Sequence, residues 1–103
     1  MPEGALLSRD RVLAMLAAER QRLTALGVRR IAVFGSISRG EATEESDLDL
    51  LVELDRKTFD AYMDVKEFLE DLFGCSVDLV LADGIKPRLR PIILREAVYA
   101  PGF

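Results

Sequence analysis

The sequence predicts an α/β (α+β) domain, a small mixed sheet with helices packed on one face. Three observations carry this. Two segments repeat apolar residues at helical spacing, three short aliphatic segments have strand length, and glycines stand at the boundaries between them. Ser8 is placed to cap a first helix over residues 9–26, with Asp10 in its first turn; Val12, Leu13, Leu16, Leu23 and Leu26 recur until Gly27. Arg29 to Phe34 is rich in Ile, Val and Phe, too short for an ordinary helix, and stops at Gly35, so it reads as a strand. Gly35 to Ser46 reads as a loop with at most one short helical turn. Asp47 to Leu54 is a second strand with Leu48, Leu50, Val52 and Leu54 on one face and Asp47, Asp49, Leu51 and Glu53 on the other. Phe59, Tyr62, Val65, Leu69 and Leu72 form the stripe of a helix over 58–73, closed by Gly74. Ser76 to Leu81 is a third strand in which Asp78 faces away from Val77, Leu79 and Leu81. Pro91 at the first position of a last helix over 91–98 avoids the lost hydrogen bond that a start at Pro87 would cost, and 85–90 is left unassigned.

The 103 residues allow one domain, preceded by a tail over residues 1–7. Half the residues are apolar and 31% are charged, which is a globular balance rather than a disordered one. A domain of this size buries only about 60–65% of its unfolded surface, so a ligand or partner adds usefully to its stability. The net charge of -4 argues against a sequence-independent grip on nucleic acid or an anionic membrane. Neither a leader-like segment nor a run long enough to span a bilayer is present, and the expectation is a cytoplasmic protein.

The chain has no histidine. That removes Ser-His and Cys-His nucleophilic catalysis and imidazole general-base chemistry, and leaves carboxylates, hydroxyls, Arg and Lys. Cys75 is the only cysteine and reads as a small buried hydrophobe.

Two segments carry chemistry. In Gly35-Ser36-Ile37-Ser38-Arg39-Gly40 a glycine after a strand lets a phosphate approach the backbone, and a serine adds a hydroxyl donor. The segment is neither a Walker A loop nor a dinucleotide fingerprint, since Gly-Lys-Ser/Thr is missing and the glycine spacing differs. From Glu41 to Glu53 there are six acids and no base. Glu41, Glu44 and Glu45 read as a solvated acidic loop, but Asp47 and Asp49 lie within an aliphatic strand on one face. Two carboxylates ~4–5 Å apart repel by roughly 3–4 kcal/mol at an effective dielectric near 20. Protonation of one, or a divalent cation between them, relieves this, and with Asp78 nearby the oxygen donors suit Mg²⁺.

Gly35-Ser36, ten intervening residues and Asp47-Leu48-Asp49, with Arg39-Gly40 and Ser46-Asp47 between, resemble the signature of the DNA polymerase β nucleotidyltransferase superfamily. Over about residues 29–98 the short chain resembles its minimal nucleotidyltransferases, antitoxins encoded beside HEPN-domain RNases. The resemblance implies the polymerase β-like fold and Mg²⁺-dependent transfer of AMP from ATP to a tyrosine of a cognate HEPN toxin. It also implies roles: Gly35 and Ser36 contact the triphosphate, Asp47 and Asp49 ligate the metal, and Asp78 is the third carboxylate that helps deprotonate the attacking hydroxyl. Arg39 belongs to the nucleotide-binding motif but serves equally as an anchor to Glu41 or Glu45. Lys86, Arg88, Arg90 and Arg95 form a basic cluster open to triphosphate, partner or solvent. Ser38, where relatives often carry alanine, and Pro91 are mild departures from the pattern. Two other functions fit the same residues: an antitoxin that only occludes its toxin, and the nucleotide-binding subunit of a small-molecule nucleotidyltransferase.

Overall fold

The computed structural model describes residues 8–40 and 47–103. The tail over 1–7 and the acids Glu41, Glu44 and Glu45, with Ser46, lie outside the described residues. Four strands form one sheet in the order β3-β2-β1-β4. Strand β1 (Val28–Phe34) runs antiparallel to both neighbours, β2 (Leu48–Leu54) and β4 (Val98–Tyr99), and β2 runs parallel to β3 (Val77–Leu81). A parallel pair needs a long crossover, and the helix over Phe59–Phe73 supplies it.

The strand alternation read from the sequence places the core. Leu48, Leu50, Val52 and Leu54 join Ile31, Val33, Val77 and Leu79 on one sheet face, where Val12, Leu16, Leu23, Val65 and Leu69 cover them. The other face carries a smaller cluster of Ala32, Phe34, Leu51, Ala82 and Ile85, with Ile93 and Ala97 packed against it.

The N-terminal segment departs from the single helix expected over 9–26. It forms α1 (Arg9–Ala18) and α2 (Arg20–Ala25), separated at Glu19, whose amide is shared between the carbonyls of Met15 and Leu16 at 3.1 and 3.2 Å. This tightened turn leaves Leu16 and Leu23 both fully buried against the sheet. Ser8 caps α1 as expected, its hydroxyl accepting from the Arg11 amide at 3.1 Å.

After β1 comes a single turn of helix, α3 (Gly35–Arg39), closed by Gly40. The crossover helix α4 (Phe59–Phe73) starts at Thr58, whose hydroxyl accepts from the Ala61 amide, and ends at Gly74 in the left-handed conformation. A one-turn 3-10 helix, Ala82–Gly84, follows β3.

The C-terminal end needs the largest correction. Instead of a helix over 91–98, α5 spans Arg90–Glu96 with Pro91 in its first turn, and Val98 and Tyr99 are strand β4. Val98 and Tyr99 have strand propensities, and their pairing with Val33 and Ala32 is joined by the Ala100 amide donating to the Ile31 carbonyl at 2.9 Å. The Arg30 guanidinium sits 4.1 Å above the Tyr99 ring, which adds a cation-π contact. The expectation of helices on one face holds for α1, α2 and α4. Helix α5 is the exception, since Ile93 packs on the second cluster. No helix among the described residues is long and apolar enough to cross a membrane.

Candidate active site

The carboxylates of interest sit on the less covered sheet face. Parallel pairing of β2 and β3 sets Asp49 opposite Asp78, and antiparallel pairing of β1 and β2 sets Asp49 opposite Phe34. Helix α3 begins directly after Phe34, so the turn carrying Gly35 and Ser36 starts at the Asp49 side chain. The register of β3 is held from two sides. Leu48 donates its amide to the Ser76 carbonyl at 3.1 Å, and the Glu70 carboxylate of α4 accepts from the Val77 amide at 3.0 Å. The Tyr62 hydroxyl donates to the Leu79 carbonyl at 2.6 Å, tying α4 to the same strand.

Gly35 is where backbone and carboxylate meet most closely. Its φ is +75°, and a Cβ built there would lie 2.9 Å from Asp49 Cγ and closer still to Oδ2. Only glycine leaves room for the Asp49 carboxylate against the start of α3. The first amides of that turn lack partners within the helix, and Phe34 at the N-cap has no side-chain acceptor to offer them. Ile37 is buried and anchors α3 in the main core.

Burial pushes the Asp49 carboxyl up to about 6, and the neighbouring Asp78 charge, a hydrogen bond with Asp78 and the Asp47 charge act in the same direction, while Arg39 opposes them. Asp49 therefore binds a proton more readily folded than unfolded. Its contribution to stability is fully present below its unfolded value of 3.8 and is lost as pH rises through about 6. Melting in chelator should show the wild type losing about 1–2 kcal/mol relative to Asp49→Asn between pH 4.5 and 7.5, after allowance for solvent access. Parallel pH profiles for the two proteins would contradict the assignment.

Asp47 differs from expectation. The ladder begins at Leu48, so Asp47 stands one residue before the strand, and it is exposed. It is close enough to act on the Asp49 charge, and with Glu70 it reinforces the burial that raises the Cys75 thiol. The structure brings Asp49 and Asp78 together. Among the described residues, however, no three potential ligands are grouped so as to hold a metal ion.

Arg39 is anchored to Glu96 of α5, its guanidinium donating to the carboxylate at 2.9 Å; Glu41 and Glu45, the anchors expected, lie outside the described residues. Ser38 donates its hydroxyl to the Glu96 carbonyl at 2.6 Å. Glu96 was not visible from the sequence, because its partners lie 57 and 58 residues away. In the basic cluster, Arg90 donates to the Ala82 carbonyl at 3.0 Å, and Lys86, Arg88 and Arg95 are exposed.

The nucleotidyltransferase domain model matches residues 15–100. The chain belongs to that family. Protein adenylyltransferase MntA of Thermococcus cleftensis is 39% identical to it over 97 residues, which are 92% of this chain and 98% of that protein. A solved structure assigned as a minimal nucleotidyltransferase superposes with a TM-score of 0.77 at 40% identity, covering 91% of this chain and 97% of the other. The same fold recurs in a more distant structure. A tri-AMPylated HEPN toxin of Shewanella oneidensis in complex with its MNT antitoxin matches with a TM-score of 0.62 at 18% identity, over 88% of this chain and 73% of the other. This minimal nucleotidyltransferase thus has the expected polymerase β-like architecture.

Proposed function

We propose that this minimal nucleotidyltransferase transfers AMP from ATP to a hydroxyl of a partner protein, a tyrosine of a HEPN toxin, and thereby acts as an antitoxin. The observation that carries the reading is the Asp49–Asp78 pair set in register beside the Gly35–Ser36 turn. The protein adenylyltransferase relative and the AMPylated toxin complex point to the same donor and acceptor class.

The donor set fits a hard divalent cation. The two carboxylates stand opposite each other in the ladder, and burial with the Asp78 charge pushes Asp49 up to about 6, so positive charge between them is favoured. Asp49 and Asp78 would hold Mg²⁺, with Asp47 contributing from the segment before the strand. When bound, Mg²⁺ supplies the charge that lets carboxylates and a triphosphate occupy one site. The chain's own residues do the rest. The amides of Gly35 and Ser36 and the Ser36 hydroxyl orient the triphosphate, and Arg39 adds positive charge at the same turn. Asp78, exposed on the outermost strand, is placed to take the proton of an incoming hydroxyl as its oxygen attacks the α-phosphorus and pyrophosphate leaves.

Calorimetry of ATP binding tests the charge argument. Binding with Mg²⁺ should be at least about tenfold tighter than in chelator, since unscreened anions repel. Incubation with the HEPN toxin, ATP and Mg²⁺ should add mass to the toxin in AMP steps. Equal ATP affinity in both buffers, with an unmodified toxin, would overturn the reading.

A further inference from the structure

Helix α3 carries the proposed triphosphate contacts but is a single turn, too short to hold its own geometry. Its N-terminal half is fixed by β1 and by buried Ile37. Its C-terminal half is hydrogen-bonded to α5 at Glu96, the last residue of that helix. The Glu96 carbonyl accepts from the Ser38 hydroxyl at 2.6 Å, and the Glu96 carboxylate pairs with Arg39 at 2.9 Å. The ion pair is partly shielded, with side-chain exposures of 43% for Arg39 and 24% for Glu96. The Arg39 charge also acts on Asp49, so a guanidinium bonded to the C-terminal helix is within electrostatic reach of that carboxylate.

We propose that Glu96 is a positioning residue for nucleotidyl transfer: its carboxylate holds the Arg39 guanidinium in the orientation that receives the triphosphate at the Gly35–Ser36 turn. The assignment rests on the adenylyl-transfer reading above and extends it to a residue outside the motif. The two contacts have separable roles. The backbone contact with Ser38 docks α3 on α5 and survives any change of the Glu96 side chain, whereas the ion pair aims Arg39.

That separation makes the test clean. Glu96→Ala removes the carboxylate and leaves the carbonyl tether. It should raise KM for ATP about tenfold, the scale of one charge-assisted hydrogen bond, with kcat changed less than about threefold. Glu96→Gln, which keeps an acceptor without the charge, should fall between wild type and Glu96→Ala and stands in if the alanine variant does not fold. If Glu96 acts through Arg39, Arg39→Ala/Glu96→Ala should be no worse than Arg39→Ala alone. An unchanged KM in both Glu96 variants, multiplicative losses in the double variant, or activity that falls only in proportion to the folded fraction would overturn the proposal. A wild-type protein that neither binds ATP with Mg²⁺ nor modifies the toxin would instead remove the transfer reading itself, and the positioning role with it.

Discussion

Asp49→Asn should reduce AMP transfer to the HEPN toxin by roughly a hundred- to a thousandfold, the usual loss when one preorganised charged group is removed from a reacting centre. The substitution keeps shape and one acceptor oxygen but removes the negative charge shared with Asp78. Because that charge is held at a cost in the folded protein, the variant should melt no lower than the wild type at pH 7.5 in chelator. Loss of activity without loss of fold separates chemistry from structure here. The decisive measurements are the mass of the toxin after incubation with ATP and Mg²⁺ and the melting curve of the variant. Near-normal transfer by a folded Asp49→Asn protein would take Asp49 out of the reaction, and neutralisation without any mass change would favour an antitoxin that merely occludes its partner.

Gly35→Ala is expected to damage both stability and activity. Alanine at φ +75° is strained, and its Cβ would lie 2.9 Å from Asp49 Cγ, so either the carboxylate or the start of α3 must move. The fold should lose about 1–3 kcal/mol, and transfer should drop further than the lost folded fraction explains. Gly40→Ala is the matched control. Gly40 has the same φ of +75°, but among the described residues nothing lies within 4 Å of a Cβ there. It should cost only the backbone strain, about 1 kcal/mol, with much of the activity retained. Similar losses of activity in the two variants would mean that close approach to Asp49 does not matter.

What could be read from the sequence was whatever a short period encodes. The two-residue alternation of Leu48–Leu54 and Val77–Leu81 orients the core, and it sends Asp49 and Asp78 to the opposite face. The side-by-side placement follows once β2 and β3 pair. Three features were hidden for physical reasons. Strand β4 has two residues, too few for any period, and exists through its partners in β1. The first strand residue of β2 depends on where the Leu48 amide finds the Ser76 carbonyl, which local pattern does not specify, and this is why Asp47 falls outside the strand. The Arg39–Glu96 pair joins segments far apart in the chain, and charge composition offers many other partners for either residue.

Asp78 has one further consequence that concerns the chain's behaviour at high concentration. Strand β3 is an edge strand whose outer side is closed only in part, by Glu70 at the Val77 amide and by Tyr62 at the Leu79 carbonyl, and open edges are templates for intermolecular pairing. Of its five residues, Val77, Asp78, Leu79, Val80 and Leu81, only one is charged. The exposed carboxylate therefore acts as a gatekeeper against sheet extension between molecules as well as a group of the site. Alanine at position 78 would leave a fully apolar edge segment, the kind that self-associates, and an inactive preparation of that variant would confound lost chemistry with aggregation. Asp78→Asn keeps a polar, hydrated group at the edge and is the substitution with which its role in proton transfer can be measured.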